Sequence, residues 1–430
     1  MMRNALIVTY VWPPFGHAPV QRVLRFCKYL PQFGWKPIVL TVANPTAQMQ
    51  TGETGEGIME NLEVHRALTI EPPYALKAKL RDWLRKRAAA PKPDTGSVPL
   101  HAKVQVLDSH VGWVPLATLR GWPLIRSRKI DAIFVSAPPF SSLLIGKYLS
   151  KLTGCPLVVD FRDEWCGFLS WGYESGGGRN QMAERMESGV IRTARKVVSV
   201  SRGITANFQK RYPELGQERF VTIHNGFDPD DFPATLTAPA PQKPGKLRIT
   251  FVGTIVRLTT ARHFLQALAA NPAVAGQIEA HFYGRITPEE ATFFNQPSLQ
   301  GVVHVHGYLA HKDVPGTLCE SDVLLVTLDA IPGAERVPTA KIFEYLAARR
   351  FILAIVPEGE TSACVRTCGA GRAVAPQDSA ALQETLAWLV NNRDAVRCLP
   401  DYREDQVQQF SRKIETKSLA AIFDEVCQPN

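Results

Sequence analysis

Short apolar runs recur along the whole 430-residue chain and are bounded by turn signals. Examples are residues 5–10 (ALIVTY), 37–42 (PIVLTV), 130–136 (IDAIFVS), 156–160 (PLVVD), 196–201 (KVVSVS), 248–252 (RITFV), 278–283, 323–328 (VLLVTL) and 352–356. Runs of roughly four to eight such residues, rich in Val and Ile, read as strands buried on both faces of a parallel sheet. Most are followed by a polar loop and then a helical pattern. Residues 21–29, for instance, put Val23, Leu24 and Cys27 on one face. Strand, loop, helix, strand is a βαβ unit. Open sheets built from such units bind ligands outside the carboxyl ends of their strands.

A chain of this length exceeds one ordinary core. Residues 232–246 (FPATLTAPAPQKPGK) are rich in Pro and Ala, lack periodicity and read as a linker. The expected fold is therefore α/β, with two Rossmann-like doubly wound domains facing across a cleft. Residues 1–232 form the first domain, 233–246 the linker and 247–400 the second domain. Residues 401–430 are a helical segment packing back on the first.

Hydrophobic residues make up 45% of the chain and charged residues 21%, which excludes a disordered protein. No apolar run approaches the ~20 residues of a membrane span. The start, MMRNALIVTYVWPP, reads as a strand rather than a signal peptide, so the expected location is cytoplasmic. Among the eight cysteines only Cys364 and Cys368 are close, and no second pair completes a zinc site. No metal or cofactor is expected. The formal charge of +9 favours an anionic partner. Nucleic acid is disfavoured because no basic stripe interleaved with aromatics is present. The absence of GxGxxG after the first strand argues against a dinucleotide dehydrogenase.

The stretch 340–348 (AKIFEYLAA) follows the strand at 323–328 and the loop DAIPGAERVPT. Thr339 is placed as the N-cap of a helix. Ile342, Phe343, Leu346 and Ala347 form a face for packing on a sheet, and Lys341 and Glu344 share the opposite face. A helix N-terminus with a lysine suits a phosphate, and a carboxylate one turn deeper can accept two ribose hydroxyls. This stretch alone is equally compatible with a surface i,i+3 salt bridge.

At the tip of the 156–160 strand, FRDEW brings Arg162, Asp163 and Glu164 together. A structural ion pair explains two of them and a ligand-facing tip explains all three. The glycines at 176–178 read as a flexible turn, and Asp228 with Asp230 as turn chemistry rather than a metal-binding DxD. Residues 75–88 (ALKAKLRDWLRKRA) align Leu76, Leu80, Trp83 and Leu84 beside six basic residues and one acid. Such a helix can lie in an anionic membrane interface, or pack on the domain with a solvated basic face.

Several stretches together resemble the retaining GT-B glycosyltransferases of family four. They are YVWPPFGHAPVQRVLRF, VVDFRDEW, IHNGFD, FVGTI, HVHGY and TAKIFEYLAARRFILA, in the family's order over nearly the whole chain. The resemblance implies transfer of a sugar, with retention, from a nucleotide diphosphate sugar to a glycan or lipid-linked glycan in polysaccharide biosynthesis. It implies that the second domain binds the donor and the first the acceptor. Gly253 then closes the floor of the donor pocket, with Thr254 in the same turn. Arg257 and Lys341 carry the catalytic charge work on the diphosphate, next to Thr339. Glu344 holds the ribose, and the Gly16 loop approaches donor sugar and phosphate.

The chain also departs from the family's pattern. Gly16-His17 stands where the family has a Gly-Gly pair. Glu335 lies nine rather than eight positions before Glu344. Arg162 occupies a strand tip where many members carry a histidine, so His17, Arg162 and Asp163 are the acceptor-side candidates. The alternatives are a nucleotide-sugar epimerase of similar architecture and a non-catalytic nucleotide-sugar-binding protein. The expected setting is cytoplasmic, peripheral at the inner face of a membrane.

Overall fold

The computed structural model describes residues 2–13, 18–45, 57–71, 108, 110–166, 178–233, 245–339 and 341–428. The Gly16-His17 loop, the basic segment 75–88, Gly176 and Gly177, and most of the 233–246 linker lie outside the described residues.

Two all-parallel sheets organise the chain. The first contains β1 (Arg3–Val8), β2 (Trp35–Val42), β3 (Glu63–Ala67), β4 (Ile130–Ala137), β5 (Leu157–Phe161), β6 (Lys196–Ser199) and β7 (Phe220–Thr222), in the order β3-β2-β1-β4-β5-β6-β7. The second contains β8 (Leu247–Val252), β9 (Ile278–Tyr283), β10 (Val303–Gly307), β11 (Val323–Thr327), β12 (Phe351–Ile355) and β13 (Gly371–Val374), in the order β10-β9-β8-β11-β12-β13.

The alternation of side chains along each strand explains why both faces must be covered. In β11, Val323 and Leu325 enter one core with Phe264, Leu268, Leu386 and Leu389. Leu324 and Val326 enter the opposite core with Leu318, Ile342, Phe343, Leu346 and Val365. Every residue of β11 and β12 is buried. The helix Lys341–Ala347 is thereby pressed on the sheet through the face read from its sequence, which fixes where Lys341 emerges.

In the first sheet, the helix Ala18–Tyr29 supplies Val23, Leu24 and Cys27 to a core that also takes Leu419 and Phe423 from the closing helix Arg412–Val426. A fully buried ion pair crosses this core: Arg22 Nη2 lies 2.8 Å from Asp160 Oδ1, with the two side chains 1% and 0% exposed. The pair is completed by Ser136, whose hydroxyl donates to Asp160 at 2.7 Å, and by the Ile223 carbonyl, which accepts from Arg22 at 2.9 Å. With these extra hydrogen bonds the desolvation of both charges is largely offset.

The chain divides into two compact units. One comprises residues 1–200, 205–223 and 416–430, the other 201–204 and 224–415. Residues 224–232, read from sequence as the end of the first domain, belong to the second. Phe227 is buried with Val314, Leu346 and Val407, and Phe232 packs against the same cluster. The Phe227 N–H donates to the Phe410 carbonyl at 3.0 Å, which also draws residues 401–415 into the second unit.

Some elements escape the sequence patterns. β3 is a polar edge strand whose alternation leaves Arg66 exposed. The helix Val114–Ser127 contains Gly121 and Pro123, both breaker signals. A Cβ on Gly121 would lie 2.8 Å from Leu149 Cδ1, so the glycine permits close packing on the helix Ser142–Thr153. Gly178 opens the helix Gly178–Thr193 rather than belonging to a turn. Among the described residues no helix is long and apolar enough to cross a membrane.

Candidate functional site

The order of the second sheet reverses between β8 and β11, and a crevice forms at such a switch point. The loop leaving β8 carries Gly253, Thr254 and Arg257, and the loop leaving β11 carries Glu335 and Thr339 ahead of the helix with Lys341 and Glu344. Gly253 follows β8 at φ +136. A Cβ there would lie 2.0 Å from Lys341 Cε and 2.2 Å from Nζ, so only glycine lets the lysine lie across this strand tip. Gly284, after β9, is bound just as closely, since its Cβ would meet the Gly253 carbonyl oxygen at 2.1 Å. The Gly253 N–H donates to the Tyr283 carbonyl at 2.7 Å, and the Val252 N–H to the buried Tyr345 hydroxyl at 2.9 Å. The floor is therefore rigid.

Lys341 is half-buried, with its charged end packed over an aromatic ring. Nζ lies 4.0 Å from the centroid of the Phe251 ring. Burial lowers its pKa to about 7, and Glu344 opposes that shift at longer range. No ion pair joins Lys341 to Glu344, so the surface salt bridge that the sequence allowed is not formed. Glu344 instead has His311 Nε2 3.7 Å from its Oε1, with both side chains partly exposed.

Arg257 begins the short turn Arg257–Thr259 and is exposed, with no polar side-chain partner among the described residues. Thr254 is also exposed, and its carbonyl accepts from the Thr259 hydroxyl at 2.8 Å. Thr339 does not act as the hydroxyl N-cap expected of it. Its Oγ1 is buried without a hydrogen-bond partner among the described residues, while its carbonyl accepts from the Ile342 N–H at 3.0 Å. Glu335 sits in the turn Ala334–Arg336, where its carboxylate accepts from the Gly333 N–H at 2.8 Å and pairs with Arg336 at 2.9 Å. Its carboxylate thus already braces its own turn.

In the first unit, the FRDEW tip is less open than its charges suggest. Arg162 donates to the carbonyls of Ala137, at 3.2 Å, and Pro138. Burial lowers its pKa to about 10. Burial also raises the pKa of Asp163, against the pull of Arg162. Glu164 accepts from Asn207 at 2.5 Å. The buried ion pair here is Arg22–Asp160, which sequence reading missed. Its one signal was a charge at the end of an apolar strand and another on the inward face of a helix.

Residues 18–226 match the model of the glycosyl transferase 4-like domain. Solved structures extend the likeness to both sheets. HepE of Anabaena in complex with UDP superposes with a TM-score of 0.68 at 15% identity, over 99% of this chain and 100% of that one. Sucrose-phosphate synthase from Thermosynechococcus elongatus gives 0.67 at 14%, over 98% of each chain. WaaG, a glycosyltransferase involved in lipopolysaccharide biosynthesis, gives 0.61 at 13%, over 97% and 99%. No curated protein matches the chain significantly. The two sheets together have the GT-B fold.

Proposed function

We propose that the protein transfers a sugar from a nucleoside diphosphate sugar to a glycan or lipid-linked glycan, with retention at the sugar carbon. The observation that carries this reading is Lys341. Its ammonium packs at the switch point of the second sheet, against a glycine that cannot be replaced without displacing it, and no carboxylate of the described residues lies within ion-pair distance. Arg257 stands exposed at the neighbouring strand tip. Two cations at strand tips, without carboxylate partners among the described residues, suit an anion that arrives with the substrate. HepE, whose structures hold UDP and UDP-glucose, favours a uridine donor.

In the transfer, the bond between the sugar carbon and the diphosphate oxygen breaks, and its electron pair stays on the diphosphate. The acceptor oxygen bonds to that carbon on the same face, and its proton passes to the departing phosphate. Lys341 and Arg257 meet the charge that grows on the leaving group, so they stabilise the transition state more than the ground state.

Glu344 is assigned to the ribose hydroxyls. Glu344→Gln, and a 2′,3′-dideoxyribose donor with the wild type, are each expected to weaken binding at least about tenfold, the scale of a lost charge-assisted hydrogen bond. Calorimetry with a panel of nucleotide sugars checks this, and equal affinity for ribose and dideoxyribose donors removes the role. Turnover of the same panel without an acceptor would instead indicate an epimerase.

The membrane partner rests on the sequence of segment 75–88 alone. Liposome co-sedimentation is expected to rise with anionic lipid fraction and fall with salt. It should drop sharply for Trp83→Ala combined with Lys86→Glu, since each basic residue contributes on the order of 1 kcal/mol near anionic lipid. Sedimentation indifferent to lipid charge would favour a water-soluble acceptor.

A further inference from the structure

The first sheet has its own switch point, between β1 and β4. A carboxylate–imidazole pair is built there that the sequence patterns did not single out. Tyr10 lies two residues beyond the end of β1, Glu71 four beyond β3, and Ser141 four beyond β4. The Glu71 side chain is 2% exposed. Its carboxylate accepts from the Thr69 hydroxyl at 2.9 Å, lies 3.4 Å from the Tyr10 hydroxyl, and lies 3.1 Å from His110 Nδ1. The His110 ring is 4.2 Å from the Tyr10 ring between centroids and keeps 23% of its side chain exposed.

Separate bonds hold the backbone of His110 in place. Asp108 accepts from the His110 N–H at 3.0 Å and from the Ser141 N–H and hydroxyl at 2.8 and 2.7 Å. This ties the segment to the tip of β4. A Cβ on Gly112 would come within 3.1 Å of Glu71 Cγ, so the chain packs against the carboxylate with no room to spare. Trp113, edge-on to Tyr10 at 5.4 Å, has a buried indole N–H without a hydrogen-bond partner among the described residues.

Burying a carboxylate is costly unless its partners are fixed, and among the described residues three side-chain donors from three separate segments converge on this one. The carboxylate sets the imidazole tautomer, with Nδ1–H directed at Glu71 and Nε2 as the accepting nitrogen. Such an imidazole, partly exposed at the ligand-binding edge of an open sheet, is suited to a hydroxyl donor.

We propose that His110, oriented by Glu71, binds a hydroxyl of the acceptor at the β1–β4 switch point of the first unit. This rests on the sugar-transfer reading. Its ligand class is a neutral polyhydroxylated acceptor, bound through a hydroxyl that donates to the imidazole. His110 is then a binding residue, and Glu71 a positioning residue acting through it.

The test uses the full chain with the best donor of the nucleotide-sugar panel. The acceptor probes are methyl α- and β-hexopyranosides and their octyl counterparts. His110→Ala is expected to lower kcat/KM for the acceptor at least about tenfold, mainly through KM, with UDP affinity by calorimetry within twofold of wild type. His110→Gln should recover part of the loss, because its amide oxygen can still accept. Glu71→Gln should move the imidazole 15N resonances of His110 away from the Nδ1-protonated pattern and give the same acceptor defect.

An unchanged acceptor kcat/KM in His110→Ala, or an equal loss of UDP affinity, overturns the assignment. So does a wild type that binds the donor while no probe is accepted or shifts the His110 resonances. A wild type that binds no nucleoside diphosphate overturns the sugar-transfer reading itself, and this assignment with it.

Discussion

Replacing Lys341 with alanine is expected to lower sugar transfer at least about 100-fold, the scale on which one preorganised charge donor acts on a developing anion. The loss should appear in kcat as well as kcat/KM, because the diphosphate carries more charge in the transition state than in the bound donor. The enclosure of Nζ above the Phe251 ring makes the effect larger than for a surface lysine, since little water can take over its role. Steady-state kinetics on protein of unchanged circular dichroism checks it. Turnover within a few-fold of wild type would remove Lys341 from the chemistry.

Replacing Asp160 with alanine is expected to destabilise the first unit by about 3–5 kcal/mol, because Arg22 would keep its charge in a core where it is 1% exposed. The double replacement Arg22→Met with Asp160→Leu should recover most of that loss, since neither charge then remains buried. Urea unfolding of the three variants measures it. A single-replacement loss under about 1 kcal/mol would mean the pair is not buried as described.

The parts of the fold that were legible in the sequence are those where burial on both faces leaves no polar position. β11 and β12 read directly from VLLVT and FILAI. β3 did not, because an edge strand needs only one apolar side, and EVHRA has no run to see. The helix Val114–Ser127 was hidden by Gly121 and Pro123, whose packing reason lies in Leu149 on another element.

The same contrast holds at the two switch points. The placement of Lys341 and Glu344 on one helix was legible because the two lie three positions apart in a single local pattern. The reason for Gly253 was not, since it is the Lys341 side chain, 88 positions away, that fills the space of a Cβ. Arg22–Asp160 and Glu71–His110 join residues 138 and 39 positions apart, and local periodicity carries no trace of either. Thr339 shows the opposite error: a helix-start signal with the right residue type, whose hydroxyl is buried rather than turned to the backbone.

The central claim is that the second unit holds a nucleoside diphosphate through an enclosed lysine. Lys341 titrates near neutrality, its pKa lowered to about 7 by burial, and a bound diphosphate would restore its charge. Above pH 7 binding must therefore take up a proton, and affinity should weaken by up to about tenfold per pH unit. The direct measurement is titration calorimetry of UDP, GDP and ADP at pH 8 in two buffers of different ionisation enthalpy. The account predicts that one nucleotide binds with net proton uptake, and that Lys341→Met abolishes the uptake and most of the affinity. Binding with no proton uptake and undiminished in Lys341→Met, or no binding of any of the three, would contradict it.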